Sequence, residues 1–106
     1  MGTITNKPAP YYPIHPGEII KDEIEYRGIS QKKLAVNLGI SYTLLNEVLN
    51  GKRPVNTEYA LLISAALNLD AETLLRMQTR YNMQIAGKDK KLSSRLEAIR
   101  KACAVL

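Results

Sequence analysis

The run from Gly28 to Val55, GISQKKLAVNLGISYTLLNEVLNGKRPV, constrains the fold more than any other segment of the chain. Leu34 and Leu38 share one side of a short helical period, Leu45 and Val48 share one side of a second, and Gly39 lies between them. Ala35 stands where two such helices must touch, and a larger side chain there would push them apart. Gly39 falls just past the first period, where a left-handed backbone closes a helix without a side-chain penalty. Ser30 and Ser41 precede the two periods as N-caps, each offering a hydroxyl oxygen to the free amides of the turn that follows. Ile40 is the apolar plug of the turn, and Asn50-Gly51 ends the second helix. A plain helical hairpin would need one or two of these features. Their coincidence predicts a helix-turn-helix, the arrangement that projects its second helix toward duplex DNA.

The flanking sequence extends this into a small all-α domain. A chain of 106 residues supports one core. Residues 1–14 carry Pro8, Pro10 and Pro13 around Tyr11 and Tyr12 and read as an extended, mobile arm. Pro16 opens a helix that Gly28 stops, with Ile19, Ile20 and Ile24 at helical spacing. Asn56 caps a fourth helix that is apolar almost all round (Ala60, Leu61, Ile63, Ala65, Leu67), the pattern expected of the most buried helix of a bundle. Asp70 caps a fifth, from Ala71 to about Ile85, and Gly87 marks a boundary. Beyond it, Leu92, Leu96, Ile99, Cys103 and Leu106 recur at four, three, four and three positions on a basic helix. That stripe suits either a helix folded back on its own domain or one that binds a partner or a second copy.

Charge and composition narrow the function classes. The formal net charge of +5 suggests an anionic partner. Much of it lies in Lys88, Lys90, Lys91, Arg95, Arg100 and Lys101, opposed only by Asp89 and Glu97. One cysteine, Cys103, excludes an internal disulfide and is expected to pack as a small apolar residue. The sequence shows no secretory signal and no apolar run long enough to span a bilayer, so a cytoplasmic setting without membrane association is expected. His15 is the only histidine, and a single Cys with a single His excludes ordinary zinc spacing. Its position before Pro16 is explained by helix entry. Glu18, Asp22 and Glu25 read as a solvated acidic face, with no nucleophile or pocket motif beside them. No phosphate-cradling glycine loop is present, so the expectation is a binding protein with no cofactor, no metal site and no enzymatic activity.

Groove geometry then selects the candidate DNA contacts. The second helix of the motif, Tyr42 to Asn50, would lie in the major groove with its N-terminal residues toward base edges. Asn46 can bind adenine in two-pronged fashion, Thr43 can meet a thymine methyl or a phosphate, and Tyr42 suits a phosphate contact or a stacking edge. Gln31, opening the preceding helix, is placed to anchor on the backbone. Lys32, Lys52 and Arg53 supply phosphate-neutralising charge. Glu47 would repel phosphate, and is read as a structural partner of Lys52 or Arg53 in preference to a cytosine acceptor.

The stretch His15 to Ala86 resembles the HigA-type antitoxins, a branch of the phage-repressor and Cro-like DNA-binding proteins, over about two-thirds of the chain. The resemblance is carried by His15-Pro16-Gly17-Glu18, by Asn46-Glu47, by Gly51-Lys52-Arg53 and by Gln78 with Tyr81. It implies a five-helix phage-repressor-like domain over 15–86; the arm over 1–14 and the additional basic amphipathic helix over 87–106 flank it and lie outside the shared pattern. It further implies a homodimer that binds a palindromic operator in its own promoter and neutralises a HigB-like RNase toxin. The chain departs from the pattern at Asn50, where an arginine is frequent, at Leu74-Leu75-Arg76, where a tryptophan is frequent, and in the basic tail. Two other readings stay open: a repressor without a toxin partner, and a protein-binding module that has lost DNA binding.

Overall fold

The computed structural model describes residues 13–106, so the expected N-terminal arm lies outside the described residues apart from Pro13 and Ile14. The described chain is all α-helical: α1 (Pro16–Tyr26), α2 (Gln31–Leu38), α3 (Tyr42–Leu49), α4 (Thr57–Leu67), α5 (Ala71–Gly87) and α6 (Lys90–Cys103).

Each helix starts where a side chain accepts from a free amide of its first turn. Ser30 Oγ accepts from Lys33 N at 3.3 Å and Ser41 Oγ from Leu44 N at 3.0 Å. Asn56, Asp70 and Asp89 do the same for α4, α5 and α6 at 2.8, 2.8 and 3.1 Å. Caps of this kind contribute about 1 kcal/mol each, so helix starts are fixed locally. Gly39, at φ 75°, closes α2 as expected, and Ile40 N bonds back to Ala35 O at 3.1 Å. This bond turns Ile40 against the core and sets the direction from which α3 departs.

The core is one cluster drawn from five helices and the segment before the fourth: Ile20 and Ile24, then Leu34, Ala35 and Leu38, then Leu45, Val48 and Leu49, then Val55 of the connecting segment, then Ala60, Ile63 and Leu67, and finally Leu74. α3 packs on α2 and α1, α4 packs on α2 and α5, and α5 also meets α1. α1 and α3 approach each other closely at Gly17. A Cβ built on Gly17 would lie 2.0 Å from the carbonyl oxygen of Val48, so the first turn of α1 rests directly on the backbone near the end of α3.

Two expectations drawn from apolar residues are corrected. α4 is not the most buried helix: Ala60, Ile63 and Leu67 are enclosed, but Leu61 is 57% exposed, and Ala65 and Ala66 are exposed as well. Its neighbours α2 and α5 cover only part of its circumference, and an all-round apolar composition does not create a neighbour for the remainder. Cys103 does not pack as an apolar residue but is exposed, because α6 contributes no buried residue and meets the body chiefly at α5. Leu92 is half-buried, whereas Leu96, Ile99 and Leu106 face outward. The stripe is therefore not folded back into the core of its own domain.

Candidate nucleic-acid interface

α3 divides its residues between two tasks. Leu45, Val48 and Leu49 enter the core, leaving Tyr42 and Thr43 exposed at its N-terminal end and Asn46 and Glu47 half-buried one turn on. Helical periodicity makes most of this division unavoidable, since positions 45, 48 and 49 share one side and 43 and 46 lie off it, while Tyr42 shares the side of Leu49 and is exposed because it opens the helix.

Six of the seven candidate contacts lie on α2, α3 or the segment just after α3 as free or half-exposed groups. Gln31 and Asn46 are joined directly, with Asn46 Nδ2 donating to Gln31 Oε1 at 3.2 Å. Asn46 is thus less free than the sequence suggested. Tyr42, Thr43, Lys32 and Lys52 are exposed, and the two lysines form no ion pair among the described residues. The seventh, Arg53, is already engaged: its guanidinium meets Glu47 Oε1 at 2.9 Å, the structural pairing expected for that carboxylate. Such a surface pair contributes at most about 1 kcal/mol, so phosphate can still recruit Arg53.

The loop carrying Lys52 and Arg53 is held at both ends. At Gly51 the backbone passes close to the His15 ring, which also packs edge-to-face on Tyr81 with centroids 4.9 Å apart. At Val55 the buried backbone amide donates to Gln78 Oε1 at 2.9 Å, while Gln78 Nε2 donates to Asn82 Oδ1 at 2.9 Å. His15, read from the sequence as helix entry, and Gln78 and Tyr81, conspicuous there without a physical role, are thus the supports that fasten the loop after α3 to α1 and α5. Sequence reasoning missed Lys21, and it marked Asn50 only as a departure from the family pattern. Lys21 Nζ donates to Asn50 Oδ1 at 3.2 Å, and Asn50 Nδ2 donates to Asn46 Oδ1 at 3.2 Å and to Asn46 O at 2.9 Å. Nothing local links positions 21 and 50; only the packing of α1 on α3 brings them together.

His15 also makes the support sensitive to pH. Its Nδ1 accepts from Gly17 N at 2.9 Å, which places the ring proton on Nε2, a buried atom without a hydrogen-bond partner. Burial holds the imidazole below its usual pKa, partly offset by the Glu18 carboxylate. A second proton would set donor against donor at Gly17. Because the folded value is depressed, the stabilisation is fully present above the unfolded value of about 6.5 and is lost as pH falls through the folded value. The urea midpoint is expected to fall between pH 7.5 and 5.5. As no other histidine titrates in this window, His15→Asn should flatten that dependence while lowering stability throughout.

A short helix with an exposed N-terminus and an amide one turn on, seated across a second helix and followed by a basic loop, is the architecture of the DNA-binding helix-turn-helix class. Residues 20–74 match the helix-turn-helix family model, and the chain belongs to that family. It is 36% identical over 78 residues to virulence-associated protein I of Dichelobacter nodosus, spanning 73% of this chain and 72% of that one. Among solved structures it is similar to an addiction module antidote protein of the HigA family from Coxiella burnetii, with 31% identity, a TM-score of 0.70 and coverage of 81% and 92%. It is also similar to Pseudomonas aeruginosa antitoxin HigA, solved with the higBA promoter, with 29% identity, a TM-score of 0.66 and coverage of 70% and 82%. These neighbours place the chain on the HigA-type branch, a group of DNA-binding domains and not of enzymes. No helix among the described residues is long and apolar enough to cross a membrane.

Proposed function

We propose that this chain is a sequence-specific DNA-binding antitoxin that, as a cytoplasmic homodimer on a palindromic operator, represses its own operon and neutralises a HigB-like RNase toxin. The observation that carries the DNA part is the seating of Asn46: an amide midway along α3, anchored on Gln31, with exposed Tyr42 and Thr43 one turn before it. Lys32, Lys52 and Arg53 supply the sequence-independent attraction, and Gln31 and Tyr42 fix register on the backbone. The relative solved with the higBA promoter supports an operator upstream of the chain's own gene. The toxin part is supported by the HigA-type relatives, and a small basic RNase-like protein encoded immediately upstream would agree with it.

The test is a salt titration of binding to the chain's own upstream duplex and to a scrambled one, with wild type and Asn46→Ala compared. Wild type should prefer its own duplex, and Asn46→Ala should lose about 1–3 kcal/mol of that preference while keeping the same salt slope. Equal binding of both duplexes by wild type would remove the repressor reading and leave the helices as a protein-binding surface.

A further inference from the structure

We infer that Asn50 and Lys21 set the hydrogen-bond polarity of the Asn46 amide, and so act as positioning residues for base selection without touching a base. This rests on the proposed reading of adenine by Asn46. A primary amide has nearly the same shape after a half-turn, yet the half-turn exchanges its donor and its acceptor. Two-pronged recognition of adenine requires the oxygen to accept from N6 and the nitrogen to donate to N7. Packing alone therefore does not choose between a reading and a non-reading orientation.

The choice is made at Asn50, between two groups that cannot change roles. The Lys21 ammonium offers donors only, so the Asn50 atom 3.2 Å from it is Oδ1. The backbone carbonyl of Asn46 offers lone pairs only, so the Asn50 atom 2.9 Å from it is Nδ2. With its nitrogen turned toward Asn46, Asn50 donates to Asn46 Oδ1 at 3.2 Å. Asn46 Nδ2 is left to donate to Gln31 Oε1, also at 3.2 Å. Polarity thus passes from a fixed charge through three amides, and each step orients the next. It ends with Gln31 Nε2 as the free donor, the group a phosphate oxygen would accept from. Asn46 keeps one hydrogen on Nδ2 and one lone pair on Oδ1 beyond these bonds, the two capacities that adenine would use. The arrangement gives a role to the asparagine that stands where an arginine is frequent in similar sequences.

The experiment compares full-length wild type, Asn46→Ala, Asn50→Ala, Asn50→Asp and Lys21→Met on the upstream duplex and on versions in which single A·T pairs are changed to G·C. Circular dichroism melts confirm that each variant is folded. Wild type should favour adenine over guanine by roughly tenfold or more at one position of each half-site, and Asn46→Ala should abolish that ratio. Asn50→Ala should lower the ratio at least threefold, to about one third of the wild-type value or less. Asn50→Asp keeps the shape but has no donor to offer Asn46, and should bring the ratio to about one. Lys21→Met should lower it in the same direction by a smaller factor, since the Asn46 carbonyl still holds Asn50.

Retention of the wild-type ratio by Asn50→Asp would overturn the inference, because shape alone would then suffice. Lys21→Met weakening both duplexes alike, with a salt slope lower by about one, would make Lys21 a phosphate contact and overturn its part. Failure of the underlying reading looks different: wild type and Asn46→Ala would then show no adenine preference at any position.

Discussion

Gly17→Ala is expected to lower the melting temperature by about 12 °C. The added carbon would lie 2.0 Å from the Val48 carbonyl oxygen, 3.0 Å from His15 Nδ1 and 3.1 Å from the Val48 carbonyl carbon. Two of these neighbours are backbone, so no rotamer change relieves the clash, and α1 must move away from α3. Overpacking costs about 1–3 kcal/mol, a clash against backbone belongs at the upper end of that range, and each kcal/mol shifts the midpoint of a domain this size by about 4–8 °C. Separation of α1 from α3 also removes His15 from Gly51 and Lys21 from Asn50, so DNA discrimination should fall with stability. Gly87→Ala is the control: a Cβ there meets nothing within 4 Å, and the melting temperature should be unchanged or slightly raised. An equal loss from both substitutions would show that the α1–α3 approach is not the tight contact described here.

Leu45→Ala should cost about 2–5 kcal/mol while leaving base preference in the surviving folded fraction intact. Leu45 is fully enclosed, and the space between it and Leu38, Ile40, Val48, Tyr59, Leu62 and Ile63 amounts to only about 10 Å³. Truncation therefore opens a new void among residues of α2, α3, α4 and the turn after α2. Asn46 is the adjacent residue yet faces the opposite side. Urea denaturation would give the stability loss, and the ratio of affinities for upstream and scrambled duplexes, measured well below the midpoint, would give the preference. A collapsed ratio in folded protein would mean that the inner and outer faces of α3 are not independent.

How much of this was legible in the sequence follows from the range of the forces involved. Ser30, Gly39, Ser41, Asn56 and Asp70 act on amides and carbonyls within a few residues of themselves, so the starts of α2, α3, α4 and α5 could be placed from local pattern alone. Ala35 and the leucines of α2 and α3 were legible because a helix-turn-helix dictates which side each must bury. The exposure of Leu61, Ala65 and Ala66 was not legible, because periodicity shows that a residue is apolar but not whether another helix arrives to cover it. Cys103 failed for the same reason, since α6 stands away from the body. The DNA-reading candidates on α3 followed from the same spacing. The ladder from Lys21 through Asn50 did not, since it depends on two residues 29 positions apart brought together by the close approach at Gly17. Likewise His15, Gln78 and Tyr81 were visible as a resemblance, but their work on the loop after α3 appears only when α1 and α5 close around it.

α6, which buries nothing of its own, gives the molecule two tempos of opening. A helix of 14 residues without an enclosed face is marginal in water, so it unwinds and reforms on its own, whereas the cluster from Ile20 to Leu74 opens only when the whole domain does. A protease that needs a stretch of loose chain to begin on finds it in α6 without waiting for that rarer event. The lifetime of α6 among such proteases is then governed by its own stability and not by that of the body it is joined to. Strengthening the core would leave that lifetime where it was, and pinning α6 would lengthen it.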